Sequence, residues 1–292
     1  MAATDNNTTT SGFVQVADGV RLAYKQYGPP SAPNLVLIPA WAQTAASFRK
    51  QVQHFRSRFR VTTYDHRGHG ESDKPAFGYR VSRLAADLEA LLVQLDLRDA
   101  ALLGHSMGCA VIWAHRDLFP QQQQRRVTKL VLVDQPPTML HNPAWSADEA
   151  AGFSAVFPPQ AVWEQANALA GPGGEAAMAA LARTFLSPAA DPADREWLLQ
   201  QSLKMPLPLA AALLVDHASA DWRDLIPRID VPTLVVGAEA SVCPTQGIRW
   251  TADQIPGAKI RIFGKEEGGS HFMLWEIPEE FNRVVEEFLD SS

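Results

Sequence analysis

Gly104-His105-Ser106-Met107-Gly108 decides the fold. The segment fits the pattern G-x-S-x-G, and its flanks give the pattern weight. Ala100-Ala101-Leu102-Leu103 reads as a short buried strand, and Cys109 to Phe119 as a helix with apolar residues at helical spacing. A serine at a sharp bend between a strand and a helix is a nucleophile elbow. The bend accounts for the glycines. A side chain at either flanking position would collide with the neighbouring strand or helix, and the serine backbone is itself strained. The serine oxygen is thus expected at the tip of a sheet, close to backbone N–H groups of the following helix.

Strands and helices alternate outward from this point. Leu35-Val36-Leu37-Ile38 is a continuous apolar run of the kind a central parallel strand needs. Phe59–Tyr64, Leu130–Val133, Thr233–Gly237 and Lys259–Phe263 read as further strands. Leu84, Leu88, Leu91, Leu92 and Leu95 share one helical face, and Phe48–Phe55, Thr245–Gln254 and Pro278–Leu289 are the other core helices. Phe13–Val16 and Val20–Tyr24 read as a hairpin turned at Asp18-Gly19. This alternation predicts a parallel sheet covered on both faces. Between Pro136 and Trp222 the character changes. No strand-like run occurs, alanine is dense, and proline and glycine divide short helical pieces. Residues 12–135 and 223–292 are therefore read as an α/β core, residues 136–222 as a helical cap inserted in it, and the polar residues 1–11 as a disordered tail. The glutamine run Gln121–Gln124 is read as an exposed loop.

The bulk properties fit. At 292 residues the chain is one large domain or a domain with an insertion. A hydrophobic content of 46% with 20% charged residues is that of an ordinary globular protein. The net charge of −6 argues against nucleic acid or an anionic membrane as partner. No apolar run approaches the roughly 18 residues of a membrane span, and the first residues lack the pattern of a secretion signal. Two cysteines, Cys109 and Cys243, are too few for a disulfide framework and read as structural thiols in a reducing, cytoplasmic setting. A small molecule is the expected partner. Oligomeric state is not legible.

A serine hydroxyl needs a base beside it. His271, in Gly268-Gly269-Ser270-His271-Phe272, stands in the loop between the last strand and the last helix, which emerges at the same sheet edge as the elbow. His66 and His69 belong to the tight turn Asp65-His66-Arg67-Gly68-His69-Gly70 and read as structural. His105 is expected inside the elbow, and His54, His115, His141 and His217 at the surface or in the cap.

The order of elements, Gly104–Gly108, the stretch Asp65-His-Arg-Gly-His-Gly-Glu-Ser72 and Gly269-Ser-His271 together resemble the α/β-hydrolase fold superfamily, from about Phe13 to Leu289. The resemblance implies a mostly parallel eight-stranded sheet with helices on both faces and a helical cap. It also implies Ser106 as nucleophile and His271 as base. The acid departs from the usual pattern. Most relatives place an aspartate three residues past the glycine closing the next-to-last strand, where this chain has Ala240. Asp134, the first residue after Leu130–Val133, is the better candidate, since that strand lies beside the elbow strand and some superfamily members carry the acid there. Glu239 is the alternative. The oxyanion donors are expected to be the backbone N–H groups of Met107 and, from the loop Pro39-Ala40-Trp41-Ala42, of Trp41. No metal or organic cofactor is implied, since clustered ligand spacings and phosphate-binding glycine loops are lacking.

The leading expectation is a serine hydrolase of a carboxylic ester or lactone of an apolar or aromatic small molecule, working through an acyl-enzyme. A second reading is a cofactor-independent dioxygenase acting on a hydroxy-quinolone-like heterocycle through the His271–Asp134 pair. Leu37-Ile38-Pro39-Ala40-Trp41, Phe77-Gly78-Tyr79 and Asp134 resemble those enzymes, whereas Met107, Gln43 and Thr44 depart from them. A perhydrolase or haloperoxidase activity needs the same three residues. A non-catalytic binding protein on this fold is the remaining alternative, against which the intact Ser106 and His271 argue.

Overall fold

The computed structural model describes residues 9–121, 126–155 and 157–291. Eight strands form one sheet in the order β1-β2-β4-β3-β5-β6-β7-β8. They are β1 (Thr9–Gln15), β2 (Arg21–Tyr27), β3 (Asn34–Ile38), β4 (Arg60–Tyr64), β5 (Ala100–His105), β6 (Val127–Val133), β7 (Thr233–Ala238) and β8 (Lys259–Phe263). β1 and β2 run antiparallel, as do β2 and β4, and every other pairing is parallel.

Strand position follows side-chain chemistry. The apolar β5 and β7 are buried along their whole length and sit inside the sheet, whereas β1 and β8, with exposed polar residues, form its edges. The tail reading requires one correction. Thr9, Thr10 and Ser11 belong to β1 and pair with Tyr27, Gln26 and Lys25. An edge strand with little to bury can be polar, so composition did not betray it. Residues 1–8 and the glutamines 122–124 lie outside the described residues.

Helices cover both faces. In chain order the first are α1 (Arg49–Phe55), α2 (Val81–Gln94) and α3 (Met107–Leu118). The segment between β6 and β7 contributes α4 (Ala147–Gly152), α5 (Pro159–Ala170), α6 (Gly174–Phe185), α7 (Pro192–Ser202) and α8 (Leu207–Ser219). Then come α9 (Thr245–Gln254), α10 (Met273–Glu276) and α11 (Pro278–Asp290). The period-two alternation of strands divides the core into two layers. Val36, Ile38, Leu102, Leu130 and Leu132 face the layer holding α2 and α3. Leu35, Leu37, Leu103, Val131 and Val133 face the layer holding α1 and α11.

The α4–α8 segment is sewn to the loop that follows β3. The Trp41 indole N–H donates to Ala210 O at 2.9 Å, Gln43 Nε2 to Ser202 Oγ at 2.7 Å, and Thr44 Oγ1 to Gln201 Oε1 at 2.9 Å. All of these groups are buried, where hydrogen bonds are strong and costly to leave unmade. Among the described residues no single helix is long and apolar enough to cross a membrane.

Candidate active site

The elbow is built by close approach. A Cβ on Gly104 would stand 2.6 Å from the Gly108 carbonyl, and one on Gly108 would stand 2.3 Å from Ile38 O, so neither position accepts a side chain without displacement. Ser106 takes φ 53° and ψ −121°, a strained backbone for a residue with a side chain. Its N–H donates to Val133 O at 2.7 Å, which ties the bend to the end of β6. Ser106 is half-buried and faces a cavity of about 330 Å³ between the sheet edge and α4–α8. Its Oγ makes no hydrogen bond to a described residue.

His271 stands in the same cavity wall, 4% exposed. Its Nδ1 lies 2.7 Å from Asp134 Oδ2. An ionised carboxylate only accepts, so Nδ1 carries the proton and Nε2 is left as the basic nitrogen. Two further contacts hold the ring's backbone. His105 Nε2–H donates to His271 O at 2.7 Å, and Ser270 Oγ–H is shared between Phe185 O and the Glu276 carboxylate.

Asp134 follows β6 directly, in a left-handed backbone at φ 56°, with its N–H on Val236 O at 2.8 Å. It is 1% exposed. Burial pushes its carboxyl above the ordinary range, opposed by the hydrogen bond and charge of His271 and by the Ser241 hydroxyl, which donates to the same Oδ2. Ser241 Oγ in turn accepts from Cys243 N at 3.0 Å.

The loop after β3 is braced from the turn after β4. His66 Nε2–H donates to Pro39 O at 3.1 Å. His69 donates from Nδ1 to Arg67 O at 2.9 Å and accepts at Nε2 from Ala42 N at 3.2 Å, where Ala42 has φ 52°. Burial drives these imidazoles down to about 3 and about 4, so both brace as neutral rings. The Trp41 backbone N–H has no acceptor among the described residues. The Met107 N–H opens α3, where a helix has no carbonyl to offer it.

A family model described as alpha/beta hydrolase fold matches residues 33–278. The chain belongs to the alpha/beta hydrolase fold family. It is similar to a non-heme chloroperoxidase of Streptomyces lividans, 29% identical over 96% of this chain and 100% of that one. An esterase from Exiguobacterium antarcticum shares the fold at a TM-score of 0.86 and 22% identity, covering 97% of this chain and 100% of that one. The enol-lactonase from Burkholderia xenovorans LB400 does so at 0.82 and 22%, covering 96% and 100%.

Within this alpha/beta hydrolase, Glu239 does not reach the imidazole. It is exposed, and its carboxylate accepts from Lys265 N at 3.3 Å. The loop after β7, which carries Ala240, instead supplies Ser241 to Asp134. One histidine placed at the surface or in the cap by sequence needs correction. His115 is fully buried on α3, with Nε2 2.8 Å from Glu89 Oε2. His217 is indeed on a cap helix, but it is buried in the cavity wall. Sequence reading also missed Ser241 and the bond by which His105 holds the His271 backbone. Neither partnership leaves a local signal, since each spans more than 100 residues.

Asp134 Oδ2, His271 Nδ1 and Cys243 Sγ lie within 4.8 Å of one another, as metal ligands can. The Nδ1–Oδ2 separation of 2.7 Å is a hydrogen bond. It is shorter than the roughly 3.3 Å between two nitrogen or oxygen ligands of a tetrahedral zinc ion. Burial also pushes the Cys243 thiol well up, away from the thiolate a metal needs. The arrangement fits a hydrogen-bonded pair rather than a metal centre.

Proposed function

We propose that this chain is a serine hydrolase that cleaves the carboxylic ester or lactone of a small apolar molecule. The observation that carries the reading is the 2.7 Å contact between His271 Nδ1 and Asp134 Oδ2, with Ser106 and His271 in one cavity wall. Ser106 Oγ attacks the carbonyl carbon, and His271 Nε2 takes its proton. Asp134 fixes the tautomer and offsets the charge the ring acquires. The N–H groups of Trp41 and Met107 receive the developing oxyanion. His271 then returns the proton to the leaving alkoxide, and water repeats the cycle on the acyl-enzyme. The cap side of the cavity is mainly apolar, with Met139, Phe157, Leu181 and Leu214, which supports an apolar substrate. Two buried free thiols suit a cytoplasmic setting.

Turnover of p-nitrophenyl esters, with a phosphonate adduct on Ser106 located by mass spectrometry, tests this reading. Both are expected to vanish in Ser106→Ala. The similarity to a chloroperoxidase favours a second reaction on the same acyl-enzyme, in which hydrogen peroxide replaces water and releases a peracid. Peracid formed from ester and peroxide, lost in Ser106→Ala, is its test. If Ser106→Ala keeps its activity and consumes oxygen on a hydroxy-quinolone, the dioxygenase reading replaces both.

A further inference from the structure

His217 is the one histidine of the cavity wall that the proposed reaction leaves unused. It lies near the end of α8, 3% exposed, on the cap side of the cavity that holds Ser106 and His271. Its Nδ1 is buried without a hydrogen-bond partner among the described residues. Its Nε2 is not sealed in this way and makes no hydrogen bond among the described residues either, so the ring turns an unpaired polar edge to the cavity, whereas buried polar groups are nearly always paired. The surroundings say what kind of partner fits. Among the described residues no Lys, Arg, Asp or Glu lines the cavity, and its remaining cap-side polar groups are Gln165 and Thr184. Burial, together with nearby His271, drives the His217 imidazole down to about 4, so it is neutral at physiological pH. A neutral imidazole offers one donor and one acceptor and no countercharge.

We infer that His217 is a specificity residue that hydrogen-bonds a second, uncharged oxygen of the substrate. The preferred substrate is then a neutral ester or lactone with a keto, hydroxyl or ether group, rather than a plain alkyl ester or one that carries a carboxylate. This rests on the hydrolase reading above. A plain alkyl chain leaves the imidazole unpaired, and a site built to hydrogen-bond rejects the analogue lacking the group. A carboxylate would enter a wall without a cation, which is costlier still.

The test uses p-nitrophenyl hexanoate, its 3-, 4- and 5-oxo analogues, and the mono-p-nitrophenyl ester of glutaric acid. With the native protein, at least one oxo ester is expected to exceed hexanoate about tenfold in kcat/KM, mainly through KM, and the glutarate ester to be the poorest. In His217→Phe the ratio of oxo ester to hexanoate should fall towards one, and His217→Gln, which keeps a donor and an acceptor, should recover most of it. If the phenylalanine variant does not fold, His217→Leu reads the same ratio. An unchanged ratio in the apolar variants, or a native protein that treats hexanoate and all the oxo esters alike, overturns the inference and leaves the hydrolase reading standing. If Ser106→Ala turns over every ester as fast as the native protein, the hydrolase reading fails and this inference falls with it.

Discussion

Asp134 holds a carboxylate where solvent does not reach. Its pKa is raised by burial, so its contribution to stability is present below the ordinary carboxylate range and lost as pH rises through the raised folded value. At neutral pH the ionised group is therefore kept at a cost to stability, which His271 and Ser241 only partly offset. Asn fits the site in shape and tolerates the left-handed backbone at φ 56°. Asp134→Asn is expected to lower kcat by on the order of 10⁴ through the wrong imidazole tautomer. Its thermal midpoint at pH 7.5 should stay level or rise. Ester kinetics and circular dichroism melts on the same samples check this, and a midpoint that collapses along with activity would make Asp134 a structural residue. Ser241→Ala removes one of the two side-chain donors to Oδ2. Loss of such a bond should reduce kcat about tenfold with KM little changed.

At the scale of elements, the elbow depends on how closely α3 approaches β3. Gly108→Ala would set a methyl 2.3 Å from Ile38 O, and the helix would have to move. Overpacking of this sort costs about 1–3 kcal/mol, to be read from urea denaturation. Phosphonate labelling of Ser106 should slow as well, because Met107 N–H moves with the helix. These local features explain why β5, the bend and α3 were readable from sequence: a strand, two glycines and a helical face all fall within 20 residues. Asp134 and His271 were readable because each directly follows or closely precedes a recognisable element. Ser241, by contrast, sits one residue past the position where an acid was sought, and nothing in Ala240-Ser241-Val242 points across to β6. The bond from His105 to the His271 carbonyl, and the three bonds from Trp41, Gln43 and Thr44 to α7 and α8, link segments more than 150 residues apart. Such bonds depend on how the cap docks, which periodicity does not encode. Only the second half of β1 was read as strand; its polar start, Thr9–Ser11, was assigned to the tail because its pairing, not its burial, makes it a strand.

For the whole molecule, the buried histidines set a limit in acid. His66, His69 and His217 are held near 3, 4 and 4 by burial, well below the ordinary 6.5. The unfolded chain binds protons that the native fold refuses, so stability is present above about pH 6.5 and is lost as pH falls towards 4. Each group contributes a slope of at most about 1.4 kcal/mol per pH unit. Urea midpoints taken at pH 7.5, 6 and 5 should drop progressively, and His217→Gln should make the decline shallower; midpoints that hold steady down to pH 5 would refute the assignment. Trp41, Gln43 and Thr44 bear on turnover at the same scale. The strand-end loop that presents the Trp41 amide is also the anchor by which α7 and α8 are moored. Under the proposed mechanism one short loop thus serves two ends, seating the roof over the cavity and aiming an amide into it, so cutting these three bonds is expected to weaken both together.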